Sequence, residues 1–429
     1  MQGDAVNTSI LALFKLSAFR RFVGVIVPAA FADWIDFIAI MALVSYSWGM
    51  GASEVSAVLM AVMLPRVVFG LPAGVLVDRF GAGPVLILGL FIRAAVMLSM
   101  FFFAQGLWTL LALVFLKATV SATFMPAQQL AIKKLVPSNM LTQAVSVDHF
   151  VIQSTKLFAP LVGGALLAIY SAHHVFLLSS TLFSLAALIC IFLLSPLGRA
   201  SAGEQTKEEQ EQVSILKESK AALVFIWKTP RLLLGMEMIC LFIFSVFLYE
   251  AELLLLFKET GLREWDAGPI IGAIGVGGLV GTYLTAKIGD RVNLQMLMSI
   301  GLCLGGLATA VAGWLPFSPV RFGLIEQMGI WFFGGMFSSI IAVPYGAILV
   351  RQTPERLIGR VSSVGDMMQS GLTLLAIPIG AFLAELWFVS MPFFAGGMLM
   401  VTGGVAGLFV SASIARKPEV EQTVSQELV

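Results

Sequence analysis

The chain has 429 residues, of which 59% are hydrophobic and only 12% charged, and its net charge is +1. A soluble domain is about 25% charged, so this composition excludes a soluble enzyme, a disordered chain and a nucleic-acid binder, and leaves a multi-spanning membrane protein. The three cysteines, Cys190, Cys240 and Cys303, lie in apolar runs without Cys-x-x-Cys spacing, and His149, His173 and His174 make no ligand pattern, so neither a metal nor a cofactor is expected.

Only helices and closed barrels cross a bilayer, and the long continuous apolar runs are helical in length. In chain order they predict twelve spans: 22–47, 55–77, 85–104, 107–131, 144–169, 174–195, 232–256, 267–288, 294–315, 322–349, 363–385 and 391–414. The opening MQGDAVNTSI has no basic segment leading straight into an apolar core, so no cleaved leader is expected. The polar stretch 198–229 divides the spans six and six. Its second part, Val213 to Trp227, has an amphipathic rhythm that predicts a surface helix on a cytoplasmic linker. The expected organisation is a first six-helix bundle over 1–197, the linker over 198–229, a second bundle over 230–416 and a tail over 417–429.

Of the 26 Lys and Arg residues, 19 fall on one side of this topology and 3 (Lys258, Arg263, Arg321) on the other. The positive-inside rule then puts both termini in the cytoplasm. The remaining four, Arg66, Arg93, Lys117 and Lys156, lie within spans.

The two halves share features at similar offsets, 212 to 218 residues. Asp78-Arg79 after span 2 recurs as Asp290-Arg291 after span 8, and PAQQLAIKKLVP from Pro126 matches PYGAILVRQTP from Pro344. Parallel six-helix repeats suggest two bundles rocking around a central site.

The loop Gly74-Val-Leu-Val-Asp78-Arg79-Phe80-Gly81 resembles the signature of the major facilitator superfamily between its second and third spans. It departs at Ala82-Gly83, where the family has a basic pair. Ala159-Pro160-Leu-Val-Gly163-Gly164 in span 5 resembles the Gly-Pro-x-x-Gly-Gly signature of its antiporter branches. The phrases around Phe124-Met-Pro126-Ala127 and Gln352-Thr-Pro354-Glu355 are similar to macrolide-efflux and enterobactin-exporter carriers, which are drug:proton antiporters. The resemblance implies an all-α membrane fold of two pseudo-symmetric six-helix bundles. It also implies gating roles for Asp78, Arg79, Pro160, Gly163 and Gly164, and through the repeat for Asp290 and Arg291. Asp148, one turn into span 5, is a further gating candidate.

Ionisable groups inside spans are costly to bury and mark function. At about 1.5 Å rise per residue, Asp33 and Arg66 lie about 16 Å from the cytoplasmic helix ends, and Asp36, Lys117 and Lys156 about 20 Å. Asp33 and Asp36 are three apart and share a helix face. The expectation is a midplane network with Asp36 or Asp33 as proton site and Arg66 as switching partner, the alternative being a static Asp33–Arg66 pair. Lys117 and Lys156 either recognise an anionic substrate group or neutralise the carboxylates. Arg93, at about 12 Å, is expected to snorkel towards the cytoplasm. Tyr249 and Glu250 in span 7 are candidate substrate contacts with Asp36, Lys117 and Lys156, and one of Glu250 and Glu252 is a candidate gate or second protonation site, the alternative being solvation at the membrane interface. Glycines 272, 275, 277, 278 and 281 of span 8 are spaced for close helix packing.

The reading is a monomeric secondary transporter of a bacterial inner or plasma membrane, exporting an amphiphilic small molecule in exchange for protons. A lysophospholipid or other lipid carrier of the same fold is the alternative, since Phe31-Ala32-Asp33 resembles the Phe-Gly-Asp of that carrier type. An intramembrane enzyme is remote, because no nucleophile stands beside Asp148 and His149. Nucleotide drive is excluded by the lack of any Gly-Lys-[Ser/Thr] loop.

Overall fold

The computed structural model describes residues 13–137, 140–192, 223–289 and 291–415. Among them twelve helical spans are long and apolar enough to cross a bilayer, so the chain is an integral multi-pass membrane protein. The expected interdomain helix falls mostly outside the described residues. Only 223–228 is seen, as a short helical piece with Phe225 and Ile226 buried.

The first six spans are α1 (Ser17–Ala42, prolonged by a π-helical segment Leu43–Ser47), α2 (Ala52–Phe80), α3 (Ala82–Phe103), α4 with α5 (Leu107–Ser121 and Phe124–Leu135), α6 (Leu141–Ile169) and α7 (Ala172–Ile191). The last six are α8 (Pro230–Tyr249) with a short α9 (Leu253–Glu259), α10 (Ala267–Ile288), α11 (Leu294–Trp314), α12 (Leu324–Gln352), α13 (Glu355–Leu386) and α14 (Met391–Ala415). An even number of crossings puts the described chain ends on one face, called proximal here. The opposite face, with the turns near residues 50, 105, 170 and 262, is distal.

Two spans depart from single rods. The fourth breaks at Ala122-Thr123 because Pro126 has no N–H and its ring collides with the carbonyl four residues back, that of Ala122. Thr123 Oγ1 hydrogen-bonds Val120 O at 2.8 Å across the break. The seventh stops at Tyr249, and Glu250 to Glu252 form a bend before α9. The eleventh starts earlier than the expected 363, at Glu355, with Pro354 as the residue just before the helix.

Helices α1, α3, α6 and α7 pack together, as do α8, α11, α12, α13 and α14. The two groups meet along α6–α10 and α2–α13. At the α6–α10 crossing a Cβ on Gly164 would lie 2.8 Å from Gly268 Cα, and one on Gly268 would lie 2.5 Å from Pro160 O. The Pro160…Gly164 motif thus lets two backbones touch at the distal end, where any side chain would separate them. Gly163, by contrast, faces α1 with only ordinary contact, 3.7 Å to Ile35 Cα. The α10 glycines do pack closely: Gly277 and Gly281 lie against the α12 backbone at Phe332 and Met336.

Candidate functional site: a buried ion cluster beside an aromatic cavity

Helix α1 presents two adjacent stripes. Asp33 and Asp36 form one, while Trp34, Phe37 and Met41, spaced three and four apart, form the other roughly a quarter-turn around. The stripes face different environments.

The carboxylates face into the first helix group. Lys117 Nζ on α4 donates to Asp36 Oδ1 and Oδ2 at 2.7 and 2.8 Å and lies 3.0 Å from Asp33 Oδ1. Arg93 Nη2 on α3 donates to Asp33 Oδ2. Asp36 is fully buried and Arg93 is 1% exposed. The Arg93 guanidinium sits 4.2 Å from the Phe183 ring centroid and 5.0 Å from that of Phe124, and Lys117 Nζ is 5.7 Å from the Phe183 centroid. Two anions and two cations sum to zero, which makes burial tolerable. Cation–π contacts replace part of the lost hydration. Arg93 Nε and Nη1 have no hydrogen-bond partner, so Arg93 is held by one pairing and two rings.

This differs from the expected network in its cations. Arg66 is exposed on α2 and makes no ion pair among the described residues, so it is not the partner of Asp33. Arg93 takes that place instead of snorkelling. Height along a helix places residues in one slab, but the rotation of α2 and α3 about their axes decides which side chains meet. Lys156 also stays out of the cluster.

The aromatic stripe faces a cavity of about 320 Å³ between the two helix groups. Its wall includes Trp34, Phe37, Tyr249, Trp331, Lys156 and Glu250. Lys156, Tyr249 and Glu250 therefore stand where a substrate contact was expected. Asp36 and Lys117 do not line this cavity. Tyr249 stacks on Phe393 at 4.8 Å between centroids, and the buried Trp331 Nε1 has no acceptor. The wall thus offers flat apolar faces, one cation, one acid and a free N–H donor, which suits an amphiphile.

The remaining candidates lie outside both the ion cluster and the cavity wall. Asp148 accepts a hydrogen bond from Gln128 on α5. Arg79 lies over the ring of its neighbour Phe80 at 5.5 Å, and Arg291 is exposed. The side chain of Asp78 and all of Asp290 lie outside what the structure describes, so the expected Asp–Arg gate pairs are not in view. Glu326 and Asp366 are both exposed. Glu252, only weakly marked in the sequence, is fully buried at the distal face.

The profile of the Major Facilitator Superfamily matches residues 22–369. The chain belongs to the Major Facilitator Superfamily. It is 28% identical over 382 residues to the Uncharacterized MFS-type transporter YfiS of Bacillus subtilis, covering 89% of this chain and 90% of that protein. It is also 28% identical over 367 residues to the Multidrug efflux pump Tap of Mycobacterium tuberculosis, covering 83% of each. Its backbone superposes on a bacterial homologue of the iron transporter ferroportin in an inward-facing state, with TM-score 0.68, 16% identity and coverage of 94% and 99%. The superfamily expected from the motifs is the one found, with drug-efflux relatives, and this member of it is a transporter, not an enzyme.

Proposed function

We propose that this transporter exports an amphiphilic small molecule by alternating access, exchanging it for protons across a bacterial inner or plasma membrane with both termini cytoplasmic. The observation that carries this reading is the ion cluster on α1, back to back with the aromatic cavity. Asp36 is fully buried and held by Lys117 alone among the described ion pairs. A small rotation of α1 that weakens this pairing leaves a carboxylate without compensation in an apolar medium, and such a group recruits a proton. The same rotation moves Trp34 and Phe37 in the cavity wall, so substrate occupancy and protonation bias one element. The similarity to Tap supports a drug-like cargo, and Lys156 with Glu250 supports one carrying polar or charged groups.

Proteoliposomes carrying the protein should export drug-like amphiphiles when a proton gradient is imposed and slow when it is collapsed. Asp36→Asn should abolish gradient-driven transport while protein level is kept. Transport that is unchanged in both Asp33→Asn and Asp36→Asn would exclude this coupling scheme. A panel that includes siderophores and lysophospholipids tests the cargo. Gradient-independent movement of a lysophospholipid would favour the lipid-carrier reading.

A further inference from the structure

The distal seam between the helix groups contains a buried carboxyl that the proposed coupling does not use. Glu252 stands in the bend between α8 and α9 and is fully buried. Its Oε1 accepts a hydrogen bond from Ser56 Oγ, 2.9 Å away, at the start of α2 in the other helix group. Its Oε2 has no hydrogen-bond partner among the described residues. Six residues past the bend's end in α9, Lys258 Nζ donates to Ser45 O on the π-helical segment of α1 at 2.8 Å and faces the Tyr46 ring. Both contacts join the halves, and both must break when the distal face opens.

Among the described residues, no cation pairs with Glu252. From its own segment Glu250 faces it with the same sign. On α9, Lys258 is held by Ser45 O, and Glu259 is acidic. On α2, Glu54 is bound to the backbone N–H of Gly51 at 3.0 Å. The π-helical segment contributes Tyr46, itself faced by Glu264 and Asp266. On α13, which packs on α2, the distal charge is Glu385. Among the described residues, the Ser56 hydroxyl and Glu252's own backbone amide face the carboxyl favourably.

A buried anion with a like charge beside it and one oxygen unbonded is strongly disfavoured. A neutral acid at the same place leaves only one polar group unsatisfied. We infer that Glu252 is a proton-binding site on the distal seam: the seam closes with this carboxyl protonated and bonded to Ser56, and opening exposes it to water, where it ionises. The sign follows directly. The closed state binds one more proton than the open state, so acid on the distal side favours closure and alkali favours opening. The inference rests on the alternating-access part of the proposal above, but not on its substrate or on the α1 cluster.

The test uses spin labels on Gln105→Cys and Arg321→Cys, exposed distal sites in the two halves, in a Cys303→Ala background. Cys190 and Cys240 are buried and stay. Distances are measured in reconstituted protein without substrate or gradient, so the result does not depend on finding a cargo. In the parent the ratio of open to closed should rise with pH, by up to about tenfold per pH unit for one linked proton. Glu252→Gln, neutral and still able to accept from Ser56, should stay closed throughout. Ser56→Ala should keep the pH response but shift it to more acid values, because closure loses its bond. A Glu252→Gln protein that follows the parent curve, or a parent with no pH response, overturns the inference.

Discussion

At the residue scale, the sequence marks the α1 carboxylates and the structure chooses their partners. Asp33 and Asp36 are conspicuous because acids three apart in an apolar run have no cheap solvated alternative. Their cations were not legible. Arg66 and Arg93 both sit in spans, and only the packing of α3 against α5 and α7 brings Arg93 between Phe124 and Phe183. The two arginines should therefore behave differently. Arg93→Met removes a buried charge from a neutral quartet and should destabilise the protein by about 3 kcal/mol, the low end for a broken buried pair because Lys117 still reaches Asp33. Arg66→Met breaks no ion pair among the described residues and should cost less stability than Arg93→Met. Thermal unfolding in detergent compares them, and equal losses would show that the cluster is not what holds Arg93.

At the element scale, two motif glycines one position apart have different duties. Gly164 meets the backbone of α10, which cannot move aside without separating the two helices, whereas Gly163 meets α1 at ordinary distance. Gly164→Ala should thus oppose distal closure by about 1–3 kcal/mol, the usual scale for overpacking, and Gly163→Ala should be nearly silent. The Gln105/Arg321 label pair reads this as a shift towards the open distance in the first variant alone. The break between α4 and α5 shows the opposite balance. Pro126 announces it in the sequence, but a run as apolar as 107–131 reads as one continuous span until the carbonyl of Ala122 is placed. The bend at Glu250 to Glu252 has no such local signal. It becomes visible only where α9 lies against the end of α1 and Glu252 meets Ser56.

At the scale of the whole molecule, the basic residues make a prediction that needs no side-chain geometry. With 19 of them on one side and 3 on the other, a membrane-impermeant thiol reagent added to intact cells should label Arg321→Cys and not Lys133→Cys. The reverse pattern would invert the proposed direction of transport. Composition and hydrophobic length determined membrane residence and twelve helices, and the resemblance of short motifs such as Gly74–Gly81 pointed to the superfamily, because these are local properties of the chain. Only the tertiary structure decided which charges neutralise one another, which aromatic residues line the cavity and which carboxyl closes the distal seam. Those depend on helix rotation and on contacts between segments far apart in the chain, such as Ser56 with Glu252 at a separation of 196, and no local pattern encodes them.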